Sequence, residues 1–181
     1  MKKFVLVVFT LLLFTCGCDS MMNTPTKRVE EFLNKYQRQD NEVLTQLDEA
    51  IKNADFDFTD DQADSYKELM KKQYKNLTYT IKEEIVDGDN ATVTVEIEVY
   101  DYNTAINNAE TYYTNNADEF KNDAGELDES KYMDYKIKQM QDVKDKVKYT
   151  LNLTLTKKDK TWVLNDITET DRQKLHGLYN S

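Results

Sequence analysis

The sequence predicts an α+β domain in which a four-stranded antiparallel sheet, built as two hairpins, is covered on one face by helices. Three observations carry that prediction. Apolar residues recur at helical spacing up to about Leu77, switch to alternation, return to helical spacing, and alternate again. Turn signals interrupt both alternating stretches, Asp87-Gly88-Asp89-Asn90 in the first and Lys157 to Lys160 in the second. In each hairpin one face is apolar and the other rich in threonine, the pattern of half-buried antiparallel strands and not of strands covered on both sides. The expected order is α-α-α-β-β-α-α-β-β-α.

The chain opens with Lys2 and Lys3, an apolar run from Phe4 to Phe14, and Thr15-Cys16-Gly17-Cys18. A basic start, a short apolar run and a small residue before a cleavage point define an export signal. The run is shorter than the roughly 20 residues that span a bilayer. The tetrad closing on Cys18 resembles the lipobox of bacterial lipoproteins. That resemblance implies cleavage between Gly17 and Cys18 and a thioether-linked diacylglycerol on Cys18. Cys16 is the competing acceptor, but it would place Thr15 where the family has Gly, Ala or Ser. Two acyl chains, at about 0.8 kcal/mol per buried methylene, are enough for stable anchoring. The implied location is the cell membrane, facing outside the cytoplasm. Residues 1–17 are then the cleaved signal, 18–23 a tether, and 24–181 one domain.

Thr24 can cap a first helix with Pro25 in its opening turn, and Val29, Phe32, Leu33 and Tyr36 follow helical spacing. A second helix carries Val43, Leu44, Leu47, Ala50 and Ile51. A third opens on the capping box Thr59 to Gln62 and bears Ala63, Tyr66, Leu69, Met70, Tyr74 and Leu77. In the first strand Tyr79, Ile81 and Ile85 alternate with Thr80, Lys82 and Glu84. The Asp87-Gly88 pair signals a tight hairpin. Its return strand sets Ala91, Val93, Val95, Ile97 and Val99 against Thr92, Thr94, Glu96, Glu98 and Tyr100. Residues 103–147 read as two helical pieces, one through Ile106, Ala109, Tyr113, Ala117 and Phe120, the other capped by Asp128 and bearing Met133, Ile137, Met140, Val143 and Val147. Tyr149, Leu151, Leu153 and Leu155 then alternate with Lys148, Thr150, Asn152 and Thr154, and a last strand covers Thr161 to Ile167. A capping box at Thr170 to Gln173 starts a short terminal helix.

An N-terminal helix ending near Tyr36, an antiparallel sheet and a closing Trp162-Val163-Leu164 strand resemble the NTF2-like, cystatin-like fold. The resemblance rests on element order. It leaves the helical stretch 103–147 as an insertion larger than a minimal domain of that group supplies.

The chain has 181 residues and a net charge of −10. That acidity opposes sequence-independent nucleic-acid binding, which needs Lys and Arg on phosphates, and a polybasic face on anionic lipid. Both cysteines fall in the signal and lipobox, so the domain has no thiol for a disulfide or a nucleophile. The lone histidine, His176, reads as a helix-end residue favoured by the helix dipole. The three glycines of the body lie too far apart for a phosphate-binding loop. Carboxylates gather at Asp55, Asp57, Asp60 and Asp61, but without the glycine and terminal glutamate of a calcium loop they read as a solvated loop.

No catalytic or metal-binding residue emerges, and no cofactor beyond the lipid. Tyr100, Tyr102, Tyr112 and Tyr113 are the candidate ligand platform, since tyrosine offers a flat apolar body with a polar tip. Packing in the core or over the sheet edge is the competing account of them. The functional expectation is a membrane-anchored, extracytoplasmic binding domain for a protein or a cell-envelope component. An enzyme with a Tyr/Asp pocket and a structural homodimer through the threonine-rich face are the alternatives.

Overall fold

The computed structural model describes residues 23–54 and 56–180. The signal, Gly17 and Cys18 lie outside the described residues, as does Asp55. The elements are α1 (Pro25–Arg38), α2 (Asn41–Lys52), α3 (Asp60–Asn76), β1 (Thr78–Asp87), β2 (Asn90–Tyr100), α4 (Tyr102–Asn115), a 3-10 turn (Ala117–Phe120), α5 (Glu129–Asp142), β3 (Lys146–Lys158), β4 (Thr161–Leu164) and α6 (Glu169–His176). The class is α+β. The four strands form one antiparallel sheet in the order β1-β2-β3-β4.

Side-chain caps fix where the helices start. The Thr24 hydroxyl accepts from the Lys27 N–H, with Pro25 in the first turn of α1. Thr59 and Gln62 form the reciprocal capping box of α3. Asp128 accepts from the Lys131 N–H at the start of α5. Asp101 caps α4 in the same way, taking both the N–H and the hydroxyl of Thr104. The last helix starts earlier than expected: Thr168, not Thr170, is its cap, exchanging hydrogen bonds with Asp171.

The core lies between the helices and one face of the sheet. Ala91, Val93, Val95, Ile97 and Val99 on β2 are buried, as are Leu151, Leu153 and Leu155 on β3. Val29 and Leu33 of α1 and Leu69, Met70 and Tyr74 of α3 cover them. Each such aliphatic side chain contributes about 1.5–3 kcal/mol of burial. The other face carries a charge ladder in which Lys82 and Lys148 both reach Glu96, each at 3.3 Å. These two lysines hold the Glu96 carboxyl below its usual range, the Lys148 hydrogen bond being the larger cause.

Strand β1 departs from simple alternation. A bulge between Ile81 and Glu83 shifts the register, so that Glu84 pairs with Val93, Ile85 with Thr92 and Val86 with Ala91. Ile85, expected beside Tyr79 and Ile81, therefore sits on the solvent face, and Glu84 turns to the helix side. There its carboxylate accepts from the N–H and the hydroxyl of Thr26, at 2.9 and 2.6 Å. The first turn of α1 has no acidic residue of its own, and Glu84 supplies that charge from the sheet.

The helical segment inserted in sequence between β2 and β3 ends at Asp142, not at 147. Val143 is already extended, and Val147 pairs with Val99 in β3. The Asp101 N–H donates to the Asp145 carbonyl and closes the insertion's neck, bringing Lys146 opposite Tyr100. Among the described residues no helix is long and apolar enough to cross a membrane.

Candidate functional site: an apolar cavity at the seam of the insertion

Two polar anchors set the walls of the site. Buried Gln73 of α3 donates to the carbonyls of Tyr100 and His176, at 3.0 and 2.9 Å, and accepts from the Tyr100 N–H at 2.8 Å. It therefore ties α3, the end of β2 and the end of α6 to one point. The chain passes this point at Gly177, where φ is +71° and an added Cβ would stand 2.0 Å from the Tyr100 carbonyl oxygen. Only glycine fits there. Gln62 does the same for the insertion: its amide donates to the carbonyl and hydroxyl of Ser130 and to the Asp134 carboxylate at 2.7 Å.

With α5 held on one side of α3 and α2 on the other, a gap remains between them. It is a cavity of about 220 Å³. Leu47, Ala50 and Ile51 line it from α2, with Ala54 and Phe58 after that helix. Tyr66 of α3, Ile106 of α4, and Met133, Ile137 and Met140 of α5 complete the apolar wall. The two methionines are adaptable wall material, because unbranched thioether chains re-form around different shapes. Lys136 is the cation that lines it, with its ammonium 4.6 Å from the centre of the Tyr132 ring.

His176 also lines the cavity. Its Nε2 lies 3.1 Å from the Tyr74 hydroxyl. Burial holds its pKa down to about 4, with the Arg172 charge adding to the effect. The ring is therefore neutral at neutral pH, and the expected pairing of a cationic histidine with the helix dipole does not occur. Burial also pushes the Tyr74 hydroxyl far up, so that it keeps its proton and shares a hydrogen bond with Nε2. Burial raises Tyr66 to about 12. His176, Tyr66 and Tyr74 are held in forms that neither give up nor take a proton readily near neutrality, which suits holding an apolar group better than moving protons.

The four tyrosines marked in the sequence do not share one surface. Tyr102 is fully buried, its hydroxyl donating to the Leu69 carbonyl at 3.3 Å. Tyr100 stacks on it at 6.1 Å and faces the ammonium groups of Lys72 and Lys146. Tyr112 and Tyr113 lie about ten residues further along α4, on the order of 15 Å away, in a separate aromatic cluster. That cluster surrounds Phe120 with Tyr112, Tyr113, Tyr132 and Tyr135, at centroid distances of 5.3–6.3 Å. Edge-to-face packing of this kind is structural cement. Among the described residues no three His, Cys, Asp or Glu side chains converge to hold a metal ion.

Sequence reading missed the cavity because its walls carry no signal of their own. Ile51, Ile106 and Met133 sit on ordinary apolar helix stripes, and only the separation of α2 from α5 leaves them a void to face. Phe56 and Phe58, between α2 and α3, are large apolar residues outside any stripe, and of the two Phe58 lines the cavity.

No family model matches the chain, and no curated protein or solved structure matches it either.

Proposed function

We propose that the protein is a membrane-anchored, extracytoplasmic lipoprotein whose domain binds a protein or cell-envelope component by seating one apolar group in the cavity between α2, α3 and α5. The observation that carries the binding role is the size and lining of that cavity. At about 220 Å³ it falls below the roughly 300–1,000 Å³ of small-molecule pockets, yet exceeds a cavity of about 150 Å³ known to hold benzene. It suits a single aromatic or aliphatic side chain, the kind of anchor that dominates protein interfaces. Neutral His176 supports binding over catalysis.

The anchor rests on the lipobox resemblance at Thr15-Cys16-Gly17-Cys18. We read the sheet and its covering helices as an NTF2-like arrangement, supported by α1 over the sheet and by the closing Trp162-Val163-Leu164 strand, with the segment from Tyr102 to Asp142 as an insertion.

Two variants test the halves separately. Cys18→Ala is expected to abolish incorporation of labelled fatty acid and membrane partitioning; retention of both would remove the anchor. A photo-crosslinker at Lys136 in intact cells is expected to give a discrete adduct, and Ala50→Trp, which fills the cavity from its exposed rim, is expected to abolish it. An adduct unchanged by Ala50→Trp would rule the cavity out as the binding site.

A further inference from the structure

We infer that the turn end of the sheet rests on the lipid bilayer, with Ile85, Val86 and Val163 entering the boundary between headgroups and acyl chains. The inference builds on the proposed lipid anchor and adds an orientation to it. Its starting point is where the tether ends. Asn23, the first described residue, is pinned to the β3–β4 hairpin: its side chain accepts from the Trp162 N–H at 3.0 Å and donates to the Lys160 carbonyl at 2.7 Å. This hairpin is itself rigid, with Asp159 and Lys160 both in the left-handed region that a two-residue turn requires. From Cys18 to Asn23 is five residues, which cannot reach further than about 18 Å in any conformation. An acylated Cys18 therefore holds this end of the sheet close to the bilayer surface.

The surface presented there is unusual for the molecule. Register places Asp87 opposite Asn90 and Asn90 opposite Thr156, so the β1–β2 and β3–β4 turns lie at the same end. Of the five large hydrophobic side chains that are exposed among the described residues, three are here: Ile85 at 54%, Val86 at 50% and Val163 at 39%. Ile85 and Val163 share the solvent face of the sheet, paired with Thr92 and Thr156. The bulge in β1 put Ile85 on that face.

Charge identifies the kind of contact. Lys157, Lys158 and Lys160 around the second turn are matched by Asp87, Asp89 and Asp159, with Glu83 close by. The end has no positive excess, and the chain as a whole carries −10. Attraction to anionic lipid therefore does not drive the contact; apolar insertion does, while long lysine stems let their ammonium groups stay in the headgroup layer. A patch this small would not hold a soluble protein on a membrane. Tethering makes the encounter intramolecular, at an effective concentration in the millimolar range, and a weak contact then suffices to set orientation. The insertion leaves the sheet at its other end, after Tyr100 and before Lys146, so it points away from the bilayer, about 35 Å distant.

The domain's lack of cysteine makes the test clean. Full-length protein carrying Ile85→Cys or, at an exposed site in the insertion, Leu127→Cys is acylated in cells, labelled with an environment-sensitive fluorophore, and reconstituted in phosphatidylcholine vesicles containing brominated lipid. The Ile85→Cys label is expected to be quenched several-fold more strongly than the Leu127→Cys label, at a depth of about 5–10 Å. Equal quenching at the two sites, in a sample whose mass shows the diacylglycerol on Cys18, overturns the orientation and leaves the anchor standing. A mass without the lipid overturns both. Quenching that appears only when anionic lipid is added replaces apolar insertion with electrostatic contact and also overturns the inference.

Discussion

Along β2, five alternate side chains from Ala91 to Val99 are buried against helices, whereas the insertion from Tyr102 to Asp142 buries only Ala109 and Phe120 outside the main core. Its other buried residues, Tyr102, Ala105, Ile137 and Met140, belong to the core of the sheet. The sheet is thus held by aliphatic burial that is continuous through its two central strands, β2 and β3, and the helices over them. The insertion is held by aromatic edges, by a glutamine fork and by what it borrows from α3. A segment of about 40 residues cannot build an independent core of its own. It docks instead, and docking along a single line leaves a gap wherever a third element, here α2, approaches the same helix without meeting the insertion. The cavity is the consequence of that difference.

The contrast is broken most severely at the centre of β2. Val95 is fully buried, and Val95→Asp would place an unpaired carboxylate among Val, Leu and Ile. We expect a loss of more than about 5 kcal/mol and no cooperative thermal transition by circular dichroism. Because the insertion lacks its own core, its helices should melt with the sheet. Helical signal that survives with protected amides in α4 and α5 would show the insertion to be autonomous.

Phe120→Ala strikes the other region. It removes the ring that four tyrosines surround, at a local cost of about 3–5 kcal/mol. Hydrogen exchange should quicken in α4 and α5 and in the turn between them, while β2 and β3 keep their protection. Equal loss of protection in the strands would contradict the division into two regions.

At the seam, His176 makes the comparison pH-dependent. Its pKa is 6.5 when free and about 4 in the fold. The unfolded chain therefore binds more protons than the folded one between those values. Stability is full above about pH 6.5 and falls as pH drops towards 4, by at most about 3 kcal/mol. The unfolding free energy of the protein minus that of His176→Gln should slope through this window and be level above it. A difference that stays level down to pH 4 would show that the imidazole is not desolvated.

How much of this was readable depends on the distance over which each feature is decided. The alternation of β2 and β3 is local, and it gave the strands, their buried faces and both turns. The caps at Thr24, Thr59 and Asp128 are equally local. The phase of β1 beyond Ile81 is not, because the bulge is tied to Glu84 reaching Thr26 across 58 positions of sequence. Gln73 looked like any polar helix residue, yet it is fully buried because a strand end and a helix end need its amide. Tyr102 could not be told from Tyr100 by spacing, since a helix starts between strand and core and turns one ring inward and leaves the other at the edge. The cavity was unreadable for the reason given by its origin: it is a property of the gap between elements.

The smallest effect discriminates most finely between a local and a docking role. In a capping box the third helical position accepts glutamate as readily as glutamine, so the sequence alone makes Gln62→Glu neutral or favourable. In the structure Oε1 of Gln62 accepts from the Thr59 N–H at 3.1 Å, and a glutamate would preserve that bond. The amide nitrogen is what differs. It donates to Ser130 and to the Asp134 carboxylate, and a carboxylate in its place would face acceptors with no proton to offer. We expect Gln62→Glu to destabilise by about 1–2 kcal/mol, with faster exchange in α5 and an unaltered start of α3. Gln62→Ala, which loses the cap as well but brings no repulsion, should leave α5 better docked than the glutamate does while fraying α3. If the glutamate variant matched the parent in α5, the insertion would be held by its apolar contacts alone, and the fork would be an ornament of the cap.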